Sequence, residues 1–490
     1  MRRALVFPLL LLAAAPLRAS LFSVGLDTNA FTSDYMIGNV VVAIVFPESD
    51  GSLDQKSETW SEERKSKAIG EIMAGHDWWT KQNKKSALSF TYVTETVSTK
   101  YEPITRPYYQ ETLWIPDVMG KLGYSGSRFT STKNYINHLR QQYNADWGFV
   151  IFVIDSQNDP NGKFSDGYFA YSYLGGPFMV MTYTNGGYGI SNMDVVAAHE
   201  MGHIFNALDE YAGASSPYDY SAGYFSVING NHAWSSIAND PNSVMRGGIR
   251  WGLDKWAREM IGWRDSDGNG LDDILDTTPI VQVNQQIVSL AQGRSRLSGI
   301  ARVSVLPRQN NADGNGITLN TIAKVQFRIA NGEWAEATPS DGKFDSPEEN
   351  FMIEVASNVM SAQSFSAASV EVRAITDYTL ASGANSGGTR PTAVTISTLE
   401  NAHAFPNPFK PNSGVGHSNI TFTNLTSGAK VQIFSPDGTG LFESEPTSSS
   451  SSLTWDGLDK DGSTVASGVY YYLITDPSGQ KKKGKIAIIR

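Results

Sequence analysis

Two histidines four residues apart with a glutamate between them, in HEMGHIFNALDEY (199–211), are the residues best suited to chemistry in this chain. On a helix, positions four apart lie on one face, so His199 and His203 can both offer a ring nitrogen to one metal ion. Imidazole pairs at this spacing suit zinc, at about 2.0–2.1 Å per bond. Glu200 points beside them and can take a proton from water, and zinc lowers the pKa of a bound water to about 7. Such an arrangement fits hydrolysis of an amide bond. A third protein ligand must come from downstream. Asp209, on a straight helix, would lie about 15 Å further along the axis and out of reach. The chain must therefore turn between His203 and Asp209, and Asn206 stands where a residue of positive φ is needed.

Two motifs, this one and DPNSVMRGG (240–248), carry a resemblance. HEMGHIFNALD is similar to the HExxHxxGxxH/D signature of the metzincin zinc peptidases, with Asn206 in place of glycine, and the DEY triplet resembles the IgA-peptidase-like members. DPNSVMRGG (240–248) resembles the family's methionine turn, which implies a supporting role for Met245. The resemblance covers about 20–264 and implies Zn²⁺ on His199, His203 and Asp209, with Glu200 as general base. It also implies an extended protein or peptide substrate paired with the strand near Phe178–Tyr183. Two departures leave alternatives open: Asn206 at the turn makes Glu210 a substitute ligand, and Gly247 stands where some members carry a tyrosine. A different arrangement would draw a glutamate from a second helix, such as Glu259 in KWAREM.

DSDGNGLDDILD (265–276) sets Asp265, Asp267, Asn269, Asp273 and Asp276 at positions 1, 3, 5, 9 and 12 of a calcium loop, with Gly270 at the turn and the Leu271 carbonyl as a further ligand. The competing reading is an acidic interdomain turn. Ca²⁺ here would stiffen a junction.

The elements that must position these groups follow from periodicity. NVVVAIVF (39–46), ALSFTYVTETV (87–97), WGFVIFVI (147–154) and GPFMVMTYT (176–184) read as strands, Ser61–Ser86 and NYINHLRQQY (134–143) as helices. Ser191 or Asn192 is placed to cap the motif helix. The fold class expected is an α/β (α+β) metzincin-like catalytic domain with a mixed sheet and an active-site helix, followed by two all-β immunoglobulin-like sandwiches. The boundaries are a signal peptide at 1–19, the catalytic domain at 20–264, a junction at 265–277, a sandwich at 278–380, a linker at 381–402 and a last sandwich at 403–490.

AFPNPFKPNSG (404–414), LTWDGLDKDGSTVASGVYYYLI (453–474) and the ending GKIAIIR resemble FlgD-like hook-capping modules, and similar modules serve as type IX sorting signals. That implies secretion machinery as a partner and a secreted or cell-surface location. A net charge of −10 argues against binding to nucleic acid, no segment is long enough to span a bilayer, and the absence of cysteine excludes disulfides and thiolate ligands. The rival reading is a surface adhesin with a catalytically silent metal domain. An intact Glu200 favours the enzyme.

Overall fold

The computed structural model describes residues 22–23, 30–83, 87–236, 242–290, 294–310, 315–329, 332–356, 370–377, 402–411, 419–423, 425, 428–444, 452–475 and 481–490. The leader expected at 1–19 and the linker residues 381–401 lie outside them. The chain is mixed α/β, with many strands and few helices. Its described residues divide into two compact units: residues up to 277 together with 305–320, and residues 278–304 with 321–380 and the chain from 402 onward. No helix among the described residues is long and apolar enough to cross a membrane.

The first unit is built on a five-stranded sheet. Its strands are β1 (Asn39–Ser49), β2 (Ser89–Thr99), β3 (Trp147–Ile154), β4 (Ala170–Ser172) and β5 (Phe178–Thr182), in the spatial order β2-β1-β3-β5-β4. All neighbours are parallel except β4, which runs antiparallel to β5 at the edge. Every residue of β3 is buried, as its unbroken apolar run requires for a central parallel strand. Helices cover both faces. The face bearing Val41, Ala43, Val150 and Phe152 packs on α2 (Glu111–Lys121) and α3 (Arg128–Tyr143) through Trp114, Ile115, Ile136 and Leu139. The opposite side carries α1 (Glu62–Gln82) and α4 (Met193–Ile204), the helix of the histidine motif. These two approach so closely that a Cβ on Gly75 would meet the Asp194 carbonyl oxygen at 2.3 Å, and Trp79 Nε1 donates to the Ala198 carbonyl at 3.0 Å.

Two local expectations are refined. Asn192 is the residue preceding α4, but its side chain accepts no cap bond and instead donates to the Tyr188 carbonyl. The strand at 178–182 is interior, hydrogen-bonded to β3 on one side and β4 on the other, so it has no free edge for a substrate. An apolar run reads the same whether one or both edges are paired. The open edge belongs to the short β4.

Residues 305–310 and 315–320 belong to the first unit. Arg308 forms a buried ion pair with Asp34, and the Tyr224 hydroxyl donates to the Leu306 carbonyl. In the second unit, 280–290, 294–302, 348–356 and 338–339 form one sheet, and 322–329, 335–336 and 370–376 form another. Further on, 403–405, 420–423 and 453–455 pair as one sheet and 430–434, 440–444, 468–475 and 481–488 as a second. Both contribute to one core containing Phe422, Ile433, Trp455, Tyr472 and Ile486.

His76 on α1 is wholly buried, stacked on Phe90 and Tyr92, with Nδ1 3.0 Å from the Tyr92 hydroxyl. Burial pushes its pKa from 6.5 down to about 3. An unfolded chain takes up a proton here below about pH 6.5 that the folded chain refuses until about pH 3. Stability contributed by the neutral ring is thus lost as pH falls through that window. His76→Phe removes the titrating group, so its urea midpoint should fall less steeply with acidification over the same window than that of the wild type. Equal slopes would show that His76 does not set the acid sensitivity.

Candidate metal centre and cleft

α4 presents both histidines on one side, and the backbone beyond it fixes their rings. His203 Nδ1 lies 2.7 Å from the Ala207 carbonyl oxygen and His199 Nδ1 2.9 Å from that of Val244. Only an Nδ1–H can bond these acceptors, so each Nε2 keeps its lone pair free. Both Nε2 atoms face Asp209 Oδ1, at 3.1 Å for His199 and 3.3 Å for His203. That oxygen is buried and has no hydrogen bond of acceptable geometry. Three electron-rich atoms cannot hold this arrangement alone, so a proton or a cation must sit among them.

The three residues form a group that could hold a metal ion, with donor atoms all within 4.8 Å of one another, and no other such group of His, Asp or Glu occurs among the described residues. Two imidazoles and a carboxylate are donors that zinc accepts. Without a metal the proton takes its place. Burial lowers the pKa of His199, but Asp209, Glu200 and the Val244 carbonyl outweigh it and raise it to about 9. Burial pushes Asp209 upward, yet the two rings hold its carboxyl well below the usual range.

The turn that brings Asp209 back is made at Asn206, whose φ is +72°. Its side chain adds what glycine could not: Nδ2 donates to the Asp34 carbonyl at 3.0 Å. Beyond it, the Glu210 N–H donates to the Met245 carbonyl at 2.9 Å, tying the Asp209 loop to the turn at 243–246. Met245 is buried beneath α4, and a Cβ on Gly202 would meet its sulfur at 2.5 Å. Gly202 thus leaves room for the Met245 side chain against the helix, and a larger residue would require that side chain to move.

Glu210 is turned away from the metal group. Its Oε2 accepts from Asn231 Nδ2 at 2.9 Å, and burial and Asp254 push its carboxyl up to about 9. Glu259 lies on α5 (Lys255–Met260), is paired with Lys255 at 3.7 Å and does not belong to the group. Asp209 is therefore the carboxylate that the fold brings to the histidines.

Glu200 is buried and lines a cleft of about 630 Å³ with His199, Ala170, Tyr168, Tyr188 and Tyr211. Ser172 of β4 lies with its hydroxyl 2.6 Å from Glu200 Oε2. The Tyr211 hydroxyl donates to Asp209 Oδ2 at 3.2 Å, and its ring covers Gly247, where a Cβ would come within 3.0 Å of it. Sequence reading passed over Ser172 and Gly202, whereas Tyr211 stands in a tyrosine-rich loop that could be expected to line a pocket, as it does. Nothing near Ser172 marks it.

In the loop 265–276 the acidic groups are spent on the loop itself. Asp265 accepts from the Gly270 N–H (2.8 Å), Asp267 from the Asn269 N–H (3.1 Å), and the side-chain Oδ1 of Asn269 from the Leu271 N–H (2.8 Å). Asn269 Nδ2 donates to Asp276 (2.8 Å), while Asp273 is held by Arg264 (2.6 Å) and Ser266. These carboxylates do not gather in threes around one point.

Asn206 can be tested directly. Asn206→Gly loses the bond to Asp34, about 1 kcal/mol. Asn206→Ala loses it and also pays about 1–2 kcal/mol for the left-handed backbone. Thermal denaturation should therefore rank wild type above Gly above Ala, with bound metal lowest in Ala. An alanine variant as stable as the glycine variant would refute the role assigned to the turn.

No family model matches the chain, and no curated protein matches it. Among solved structures it is similar to OgpA from Akkermansia muciniphila, crystallised in a catalytically inactive form with an O-glycopeptide (glycodrosocin) substrate. That match has 9% identity and a TM-score of 0.25, over 70% of this chain and 90% of the other. It is also similar to PorZ of Porphyromonas gingivalis, an essential bacterial surface component of the type-IX secretion system, with 17% identity and a TM-score of 0.18 over 42% of this chain. Dimeric latent PorU from Porphyromonas gingivalis matches at 12% identity and a TM-score of 0.15 over 49% of this chain. The chain spans 30% of the length of PorZ and 22% of that of PorU. All three scores are low, so the chemistry of the site rests on its own geometry.

Proposed function

We propose that this chain is a secreted zinc-dependent endopeptidase of the metzincin type, hydrolysing peptide bonds in extracellular proteins or glycoproteins. The observation that carries the reading is the convergence of His199 Nε2, His203 Nε2 and Asp209 Oδ1 at the cleft that His199 and Glu200 line. Bound there, zinc would supply Lewis-acid polarisation of the scissile carbonyl and a lowered pKa for water.

The chain's own residues do the rest. β4 offers its open edge to an extended peptide, and main-chain pairing there would lay the scissile bond across the cleft. Glu200 takes a proton from the attacking water and returns it to the leaving amine. Tyr211 holds the outer oxygen of Asp209, which keeps Oδ1 turned to the histidines. Met245 supports α4 from below. Within the same reading, the two all-β regions are accessory sandwiches, the last of them a sorting-like module. The loop at 265–276 is a structural junction, in which Ca²⁺ would have to displace Arg264 from Asp273.

The test is cleavage of a mixed peptide library by purified protein, with zinc content measured for each variant. Glu200→Ala should keep about one zinc and lose activity by at least about 10²- to 10⁴-fold. Asp209→Ala should lose the zinc. Zinc-loaded wild type that cuts nothing would instead support a binding protein with a silent metal domain. Asp209→Ala with full zinc would overturn the ligand set.

A further inference from the structure

β4 has three residues, yet it is fixed on both faces. On the side of α2 and α3, the hydroxyls of Tyr171 and Tyr173 both donate to Glu111, at 2.8 and 2.5 Å, and Arg128 pairs with the same carboxylate at 2.5 Å. Glu111 is buried, so this knot holds the strand rigidly. On the side of α4, Ser172 Oγ lies 2.6 Å from Glu200 Oε2 and 3.1 Å from the Glu200 carbonyl oxygen.

The ladder shows which way the strand's backbone points. The Thr182 N–H donates to the Phe169 carbonyl at 2.8 Å, and Tyr171 pairs with Val180 in the same register. In an antiparallel pair, hydrogen-bonded and non-hydrogen-bonded positions alternate. Tyr171 therefore spends its N–H and C=O on β5, while those of Ala170 and Ser172 point to the open edge. One residue thus carries an open-edge peptide group and a hydroxyl on the glutamate beside the metal group.

We infer that Ser172 is a positioning residue for Glu200. This rests on the peptidase reading above and deepens it. By donating to Oε2, the hydroxyl stops rotation of the carboxylate and leaves Oε1 as the oxygen that exchanges the proton with water and the leaving amine. Because the same residue borders the edge where the peptide would pair, the register of the substrate and the aim of the base are set by one strand. A hydroxyl is needed for this; the size of the side chain is not.

The experiment uses the full-length, zinc-loaded protein and a peptide that the wild type cleaves. Ser172→Ala should lower kcat by about 10- to 100-fold with KM within about twofold of wild type, and with zinc content and Tm unchanged. Ser172→Thr, which restores a hydroxyl, should regain most of the loss. The uncleaved peptide should bind Glu200→Ala and the double variant Ser172→Ala/Glu200→Ala with equal Kd. The assignment is overturned if Ser172→Ala keeps its kcat, if its defect lies in KM or in zinc content, if threonine is as slow as alanine, or if the double variant binds peptide more weakly. Failure of the underlying reading looks different: Glu200→Ala would then cut as fast as wild type, or the wild type would cut nothing.

Discussion

Three lone pairs aimed at one point are the constraint around which the first unit is arranged. A histidine left to itself can offer either nitrogen. Here both Nδ1 atoms are committed to main-chain carbonyls, one four residues after His203 and one in the turn at 243–246. Orientation thus comes from backbone, which moves less than side chains and has fewer ways to go wrong. The cost of gathering two Nε2 atoms and a carboxylate oxygen is offset only when a positive charge lies among them. The helix, the turn at Asn206 and the turn bearing Met245 must all be in place before that charge has a seat.

Packing enforces the same point from a distance. Gly75 lets α1 approach α4, and Gly202 lets α4 rest on Met245. A side chain at Gly75 would meet the backbone of α4 itself, so it would push the motif helix away, whereas one at Gly202 would displace the Met245 side chain. On the other flank, Glu111 and its two tyrosines fix β4, so the edge strand is held against the sheet by a buried polar knot and not by length. A three-residue strand would otherwise fray.

How much of this could be read in advance depends on the range of the interaction. His199, Glu200, His203 and the need for a turn at Asn206 are local facts, written in helical periodicity over a dozen residues. So is β3, whose continuous apolar run suits a central strand. Ser172 is in no motif; its meaning depends on a glutamate 28 residues away, and a three-residue strand gives too short an alternation to register. The expected substrate strand at 178–183 failed because apolarity records burial of faces and says nothing about edges. The acidic loop is ambiguous in a different way. Alternating Asp and Asn suit both a cation and the capping of successive N–H groups, and in 265–276 several of the oxygens accept N–H groups of the loop.

The change of texture after residue 276 likewise marks a change in strand pattern without ending the chain's contribution to the first unit. Asp34 is buried, and that burial pushes its carboxyl up to about 6 against the pull of Arg308. Arg308 reaches it from 274 residues away and lies over the rings of Phe31 and Tyr224. The carbonyl of the same Asp34 receives Asn206, and Ser33 beside it bonds the Ile204 carbonyl at the end of α4. Removing Arg308 would leave a carboxyl buried without its cation, at the residue that anchors the turn before Asp209. Arg308 therefore supports the His199, His203 and Asp209 group, although it falls in sequence within the β-rich region. The loop that carries Asp209 is supported by residues on both sides of it in the sequence, and its geometry is a property of the assembled unit more than of the motif.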